Sequence, residues 1–344
     1  MQAAESSDKG VRPRKAGVST SRCLAALLLL MALPALAPPQ EKASSERRPV
    51  DPYTIRVSVD MVVLHATVRN HKGTPVSGLA EGDFQVYEDG VLQEIKYFSH
   101  EDIPVTVGLV VDNSGSMRPK RPEVIAAALA FARSSNPQDQ MFVINFNERV
   151  SFGLPVKMAF TDQAAQLQAA LSGITANGET ALYDAVAAGL QHLDKGNRDK
   201  KVLIVISDGA DNASQHKLPE IMAMAGQSDA IIYTLGLLDP DDPDQNPHVL
   251  RQLAKATGGE AFLPETLKEV TPICERIARD IRNQYTIAYV PTNRLQDGTR
   301  RAIHVKGQAP GIGRLVVRTR TGYTAPLKPQ VSPAPGAANH ALQN

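Results

Sequence analysis

Between residues 104 and 284 the chain alternates short apolar runs with stretches of helical period. That alternation leaves few folds open, because parallel strands joined by crossover helices form a sheet covered on both faces. Several of the apolar runs are continuous rather than alternating, as strands buried on both sides require. The pattern predicts strands at 104–111, 141–146, 202–207 and 230–237, a shorter antiparallel edge at 150–157, and a last strand at 259–264. Helices are expected over 121–134, 163–173, 181–194, 218–227, 248–257 and 267–284, several opened by Asp, Thr or Pro near the first turn. Right-handed crossovers set the strands ending at Asp112 and Asp208 side by side, where the strand order reverses and α/β sheets bind ligands.

The run Val105 to Val111 (VTVGLVV) stops at Asp112, with Ser114 and Ser116 following at alternate positions. Carboxylate and hydroxyl oxygens suit a hard cation such as Mg²⁺, which takes octahedral oxygen sets at about 2.0–2.1 Å and keeps several waters. Two neutral hydroxyls satisfy geometry without cancelling the charge, so such an ion stays electrophilic and an acidic group from a partner could fill an open position. The same residues after a strand also serve an ordinary turn. Two features add to them: Thr180 in GETALYDA, a hydroxyl just ahead of a helix, and Asp208 in KVLIVISDGAD, an acid closing another apolar strand. Asp211, close behind, either caps the next turn or supports the site. Arg118, Lys120 and Arg121 would either add attraction for an acidic partner or form a solvated helix start, two readings of equal weight, and receive no site role.

Asp112-x-Ser114-x-Ser116, Thr180 and Ser207-Asp208-Gly209 together resemble the metal-ion-dependent adhesion site of von Willebrand factor type A domains. The resemblance implies a Rossmann-like α/β domain over 104–284. It implies that Ser114, Ser116 and Thr180 supply hydroxyls to Mg²⁺ or Mn²⁺, that Asp112 and Asp208 act directly or through water, and that a ligand carboxylate completes the shell. In some families of such domains the last helix, here 267–284, slides as affinity changes, and it leads directly into the next segment of this chain.

The flanks of 104–284 read differently. TIRVSVDMVVLHATVRN alternates apolar and polar residues, Lys72 to Pro75 marks a turn, and Phe84 to Gly90 is a strand entering a hairpin. After Tyr285, QYTIAYVPTN, RRAIHVKG and GRLVVRTRTGY follow as strands with polar turns. Residues 50–103 and 285–325 are therefore expected to pack as one β-sandwich of immunoglobulin-like character with the α/β domain inserted. Asp83 to Ile95 (DF-x-V-Y-E-D-G-x-x-Q-x-I), Gln284 to Pro291 and Arg318 to Tyr323 resemble bacterial proteins called VWFA-related Acidobacterial domain proteins, extending the resemblance over roughly 50–325.

Residues 1–22 carry five basic and two acidic groups ahead of the apolar Cys23 to Ala37. Fifteen residues interrupted by Pro34 fall short of the roughly 20 a spanning helix needs, so 1–37 reads as a secretory signal or a retained membrane anchor. Export to the periplasm, cell surface or medium follows from either. Residues 38–49 read as a linker and 326–344 as a disordered tail. Without 1–37 the basic count falls from 37 to 32 and the acidic from 36 to 34, a formal charge near −2 that disfavours nucleic acid as a partner. Cys23 and Cys274 are the only cysteines, and the scattered histidines give no zinc spacing.

Three functions are compatible with this sequence. The favoured one is a module that captures an exposed Asp or Glu of another protein through bound Mg²⁺ or Mn²⁺. A structural scaffold with an empty metal site is the second. An enzyme is the third, since haloacid-dehalogenase-type phosphotransferases place a nucleophilic aspartate at a strand end. That chemistry needs a second carboxylate two residues on, where this chain has Ser114.

Overall fold

The structure is a computed structural model that describes residues 61–327 apart from 174 and 240. The expected signal or anchor, the linker and almost all of the tail lie outside the described residues. Four strands come first: β1 (Val62–Arg69), β2 (Phe84–Glu88), β3 (Val91–Gln93) and β4 (Ile95–Ser99). An α/β region follows as β5 (Val105–Asp112), α1 (Arg121–Ser134), β6 (Gln140–Phe146), β7 (Val150–Phe152), α2 (Ala164–Ser172) and α3 (Leu182–Leu193). It continues with β8 (Lys200–Ser207), α4 (Leu218–Gln227), β9 (Ile231–Gly236), α5 (Pro247–Thr257), β10 (Ala261–Phe262) and α6 (Val270–Arg282). The chain returns to strands with β11 (Tyr285–Tyr289), β12 (Arg300–Ala309), β13 (Gly313–Arg318) and β14 (Gly322–Thr324).

The α/β region holds a six-stranded sheet in the order β10-β9-β8-β5-β6-β7. All pairs are parallel except β6 with β7. β5 and β8 are direct neighbours, with Val111 opposite Ile206, so Asp112 and Asp208 leave the sheet at the same edge. Every residue of β5 is buried, which explains its continuous apolar run. Gly108 at its centre is required by packing, because a Cβ there would meet Phe142 Cζ at 2.4 Å and Leu203 Cδ1 at 2.7 Å. The predicted edge strand 150–157 stops at Phe152, since Gly153 packs against the Ala170 carbonyl and Pro155 offers no N–H to a ladder.

The fold class expected from the sequence is the one observed: an α/β sheet with added β-structure from both flanks. The flanking strands form one antiparallel sheet in the order β3-β2-β12-β13-β1-β11-β4, with β14 on β12. β1 divides its partners, pairing β11 through Val62–Ala66 and β13 through Thr67–Arg69. Its two parts close over a shared core that includes Leu64, Val86, Tyr285, Tyr289, Val305 and Leu315.

Polar groups tie this sheet to the α/β region. Arg69 on β1 donates to Asp280 on α6 at 2.5 Å, and Glu260 accepts from Arg276 at 3.1 Å and also pairs with Arg318 of β13. Gln284 donates to the hydroxyls of Thr67 and Tyr233, at 3.1 and 3.2 Å. Within the α/β region itself, Lys200 of β8 donates to the Ile281 carbonyl at the end of α6.

Candidate metal centre

Asp112 and Asp208 are each about 99% buried, at 1% relative exposure. Asp112 Oδ1 accepts from the Ser114 N–H at 2.8 Å and Oδ2 from the Ser207 hydroxyl at 2.7 Å. Asp208 Oδ2 accepts from the Ser116 hydroxyl at 2.6 Å and Oδ1 from the Ala210 N–H at 3.1 Å. Ser114 and Ser116 Oγ lie 3.2 Å apart. The single Ser116 proton points to Asp208, so Ser114 is the donor in that contact. Four of the five residues singled out from sequence, Asp112, Ser114, Ser116 and Asp208, thus form one hydrogen-bonded group.

Thr180 reaches this edge through its loop. Asn177 N donates to Asn113 O at 2.9 Å and Gly115 N to Gly178 O at 3.1 Å, fastening the loop to the turn after β5. On the other side Thr180 N donates to Asn212 Oδ1 at 2.8 Å, and the Asn212 and Ala213 N–H groups donate to Thr180 O at 3.0 Å. The loop therefore lies between the Asp112 and Asp208 turns, held to both by backbone bonds. Gly178 has φ +80°, and a Cβ there would fall 1.8 Å from a carboxylate oxygen of Glu148. The positive φ favours glycine at that turn, whereas the Glu148 side-chain end could move aside.

The polar surroundings were only partly readable from sequence. Ser207 braces Asp112 directly, and its Oγ in turn accepts from Gly209 N at 3.0 Å. Asn113 donates to Val111 O and Asn145 Oδ1, locking the turn onto β6. Asp211 holds the start of α3, accepting from Tyr183 N at 3.0 Å, as well as from the Ser214 hydroxyl at 2.5 Å. Lys120, read as part of a solvated helix start, is buried instead and donates to Leu237 O at 2.6 Å. Arg118 donates to the Ala176 carbonyl in the loop after α2, and Arg121 to the Leu171 carbonyl near the end of α2.

Burial pushes the Asp112 carboxyl up to about 6 against the hydrogen bonds from Ser114 and Ser207, and the nearby Asp208 charge adds to the rise. Neither aspartate is paired with Lys, Arg or His among the described residues. Two buried carboxylates without a cation are costly, and burial is tolerated when charges are paired or coordinate a metal. The donor set is all oxygen, which fits a hard divalent ion. Among the described residues no group of three or more His, Cys, Asp or Glu forms a metal cluster, so hydroxyls complete this set.

Residues 107–210 match the family model of the von Willebrand factor type A domain. The inter-alpha-trypsin inhibitor heavy chain H4 of Bos taurus is 28% identical over 154 residues, covering 41% of this chain and 16% of that protein. An uncharacterized protein of Synechocystis sp. is 25% identical over 170 residues, covering 48% of this chain and 39% of that protein. The matches thus span well under half the length of these curated relatives. A solved von Willebrand factor type A structure from Catenulispora acidiphila is similar with a TM-score of 0.48 and 12% identity, covering 71% of this chain and 73% of that one.

Proposed function

Because this chain contains a von Willebrand factor type A domain matched at residues 107–210, we propose that it is a metal-dependent protein-binding module rather than an enzyme. In this reading Asp112, Ser114, Ser116, Thr180 and Asp208 hold Mg²⁺ or Mn²⁺. The ion supplies an electrophilic position that takes an exposed Asp or Glu side chain of a partner protein. The observation that carries the proposal is the pair of buried carboxylates, linked through serine hydroxyls and offset by no cationic side chain among the described residues.

The chain's own residues would prepare that position. Ser207 and the Ser114 N–H fix both oxygens of Asp112, while Ala210 N and Ser116 fix those of Asp208. Neutral hydroxyls leave most of the ion's charge for the partner carboxylate. A phosphotransferase reading lacks its acid, since the side chain two residues after Asp112 is the Ser114 hydroxyl. We further place the flanking β-regions with the VWFA-related Acidobacterial type and the protein in the cell envelope or outside it, on the sequence patterns described above.

Calorimetric titration of Mg²⁺ and Mn²⁺ into the full chain tests the reading, with Asp112→Ala and Thr180→Ala variants of unchanged circular dichroism as controls. Saturable binding by the wild type, lost in both variants, is the expected result. A metal-bridged partner also requires that an aspartyl peptide bind more tightly with the ion than with chelator, and that its asparagine analogue not do so. Metal binding that survives Asp112→Ala would place the ion elsewhere and overturn the assignment.

A further inference from the structure

A cleft lined by cationic side chains lies away from the candidate metal edge. α5 starts there, where Asn246 N donates to Asp208 O at 3.2 Å. The helix then runs away from the edge, and a rise of about 1.5 Å per residue carries Lys255 about 13 Å along its axis from Asn246. Beside this later part of α5 is a cleft of about 460 Å³, closed on the other side by strands β12 and β13 and the segment after them.

The charges in this cleft are unevenly satisfied. Arg318 is paired with Glu260, and Arg320 with Asp229 at 2.7 Å. Arg251 and Lys255, one helical turn apart on α5, both line the cleft and are exposed. No acidic partner meets either of them among the described residues. Like charges at this spacing cost the helix stability rather than adding to it. The Thr319 hydroxyl, also in the cleft wall, is buried without a hydrogen-bond partner.

The cleft continues into an apolar groove. Lys255 and Thr321 also line a neighbouring depression of about 420 Å³ formed with Leu218, Pro219 and Met222 of α4. A cationic wall thus passes into an apolar floor along one path.

We propose that this path binds an acidic peptide segment of a partner protein, with carboxylates against Arg251 and Lys255 and an apolar side chain over Leu218, Pro219 and Met222. Charge complementarity selects the occupant. A peptide is favoured over a compact phosphate because the cationic wall runs on into the apolar floor of Leu218, Pro219 and Met222, which a phosphate would leave uncovered. The site is independent of the metal reading, since none of its residues belongs to the metal group.

The test uses the full chain in EDTA, which removes any metal-bridged binding. Fluorescence anisotropy is followed with a labelled peptide of alternating Glu and Leu, beside a Lys-Leu analogue. Saturable binding of the Glu-Leu peptide is expected, weakened about fivefold to tenfold by Arg251→Gln with Lys255→Gln and weakened also by added salt. Asp112→Ala leaves it unchanged, so failure here and failure of the metal reading are distinguishable. Both substituted side chains are exposed, and matching circular dichroism and melting curves establish that the double variant folds. Absence of binding, equal affinity in the double variant, equal binding of the Lys-Leu peptide, or displacement by equimolar inorganic phosphate would each overturn the proposal.

Discussion

At the residue scale, Ser207 and Asp139 show what a single side chain contributes. Among the described residues the Ser207 hydroxyl hydrogen-bonds to the second oxygen of Asp112 and the Gly209 N–H, so its removal should leave the fold standing while freeing the Asp112 carboxylate to turn. Groups that orient metal-binding side chains are commonly worth about 10-fold to 100-fold in affinity. Ser207→Ala should therefore weaken Mg²⁺ binding by that order in calorimetry, with Ser207→Thr restoring most of it. An Ala variant that binds as tightly as the wild type would deny Ser207 this role. Asp139 sits at the opposite edge of the sheet, accepting from Val105 N at 2.8 Å and Asn136 N at 3.1 Å. Burial pushes its carboxyl up to about 6 against those bonds, with the Asp102 charge adding to the rise. A carboxyl raised above its unfolded value of about 3.9 binds protons more tightly in the folded state. Its stabilising contribution is full below that value and is lost as pH rises through about 6. Relative to Asp139→Asn, the wild type should therefore melt progressively lower as pH rises from 4 to 6; a difference in melting temperature constant over that range would show that Asp139 does not titrate there.

At the element scale, the helices and parallel strands between 104 and 284 were legible because each declares itself locally. α1 and α4 have the bounds that periodicity and an early proline predict, and β5 is the continuous apolar run of a doubly covered strand. The charged supports were not legible. Lys120, Lys200, Arg69 and Asp280 are all buried, yet a lone charged residue in a sequence reads as solvated until its partner is known. The partner of Arg69 is 211 residues away. The candidate metal residues were visible as a motif, but their hydroxyl order and the brace from Ser207 depend on the β5–β8 register, which no local pattern contains. One glycine joins both kinds of information. Gly258 caps α5 at φ +84°, a common helix ending, and a Cβ there would also lie 2.4 Å from the backbone of Thr319 and Arg320. The left-handed conformation alone costs a non-glycine residue about 1–2 kcal/mol. Gly258→Ala should thus lose at least that much stability in urea unfolding, because the neighbour is backbone and cannot rotate aside. A loss below about 0.5 kcal/mol would mean that the strand segment shifts to make room.

At the scale of the whole molecule, the antiparallel sheet depends on the α/β region between its halves. β1 bonds to β11 and β13, β2 to β12 and β4 to β11, so apart from the β2–β3 hairpin every named strand that pairs with the first four lies more than 180 residues later in the chain. Closing that distance is entropically expensive unless the intervening 104–284 segment is already folded and brings Ser99 and Tyr285 together. The dependence also runs the other way. Asp280 of α6 is covered by Arg69, and Tyr233 and Gln284 share a polar contact that includes Thr67. Removing the flanking strands exposes this face and strips the left-handed end of α5 of its cover. The intact chain should therefore unfold in one calorimetric transition, and the isolated 104–284 fragment should fold but melt at a lower temperature. Two separate transitions in the intact chain, with the upper one matching the fragment, would show instead that the sheet rests on the α/β region without stabilising it.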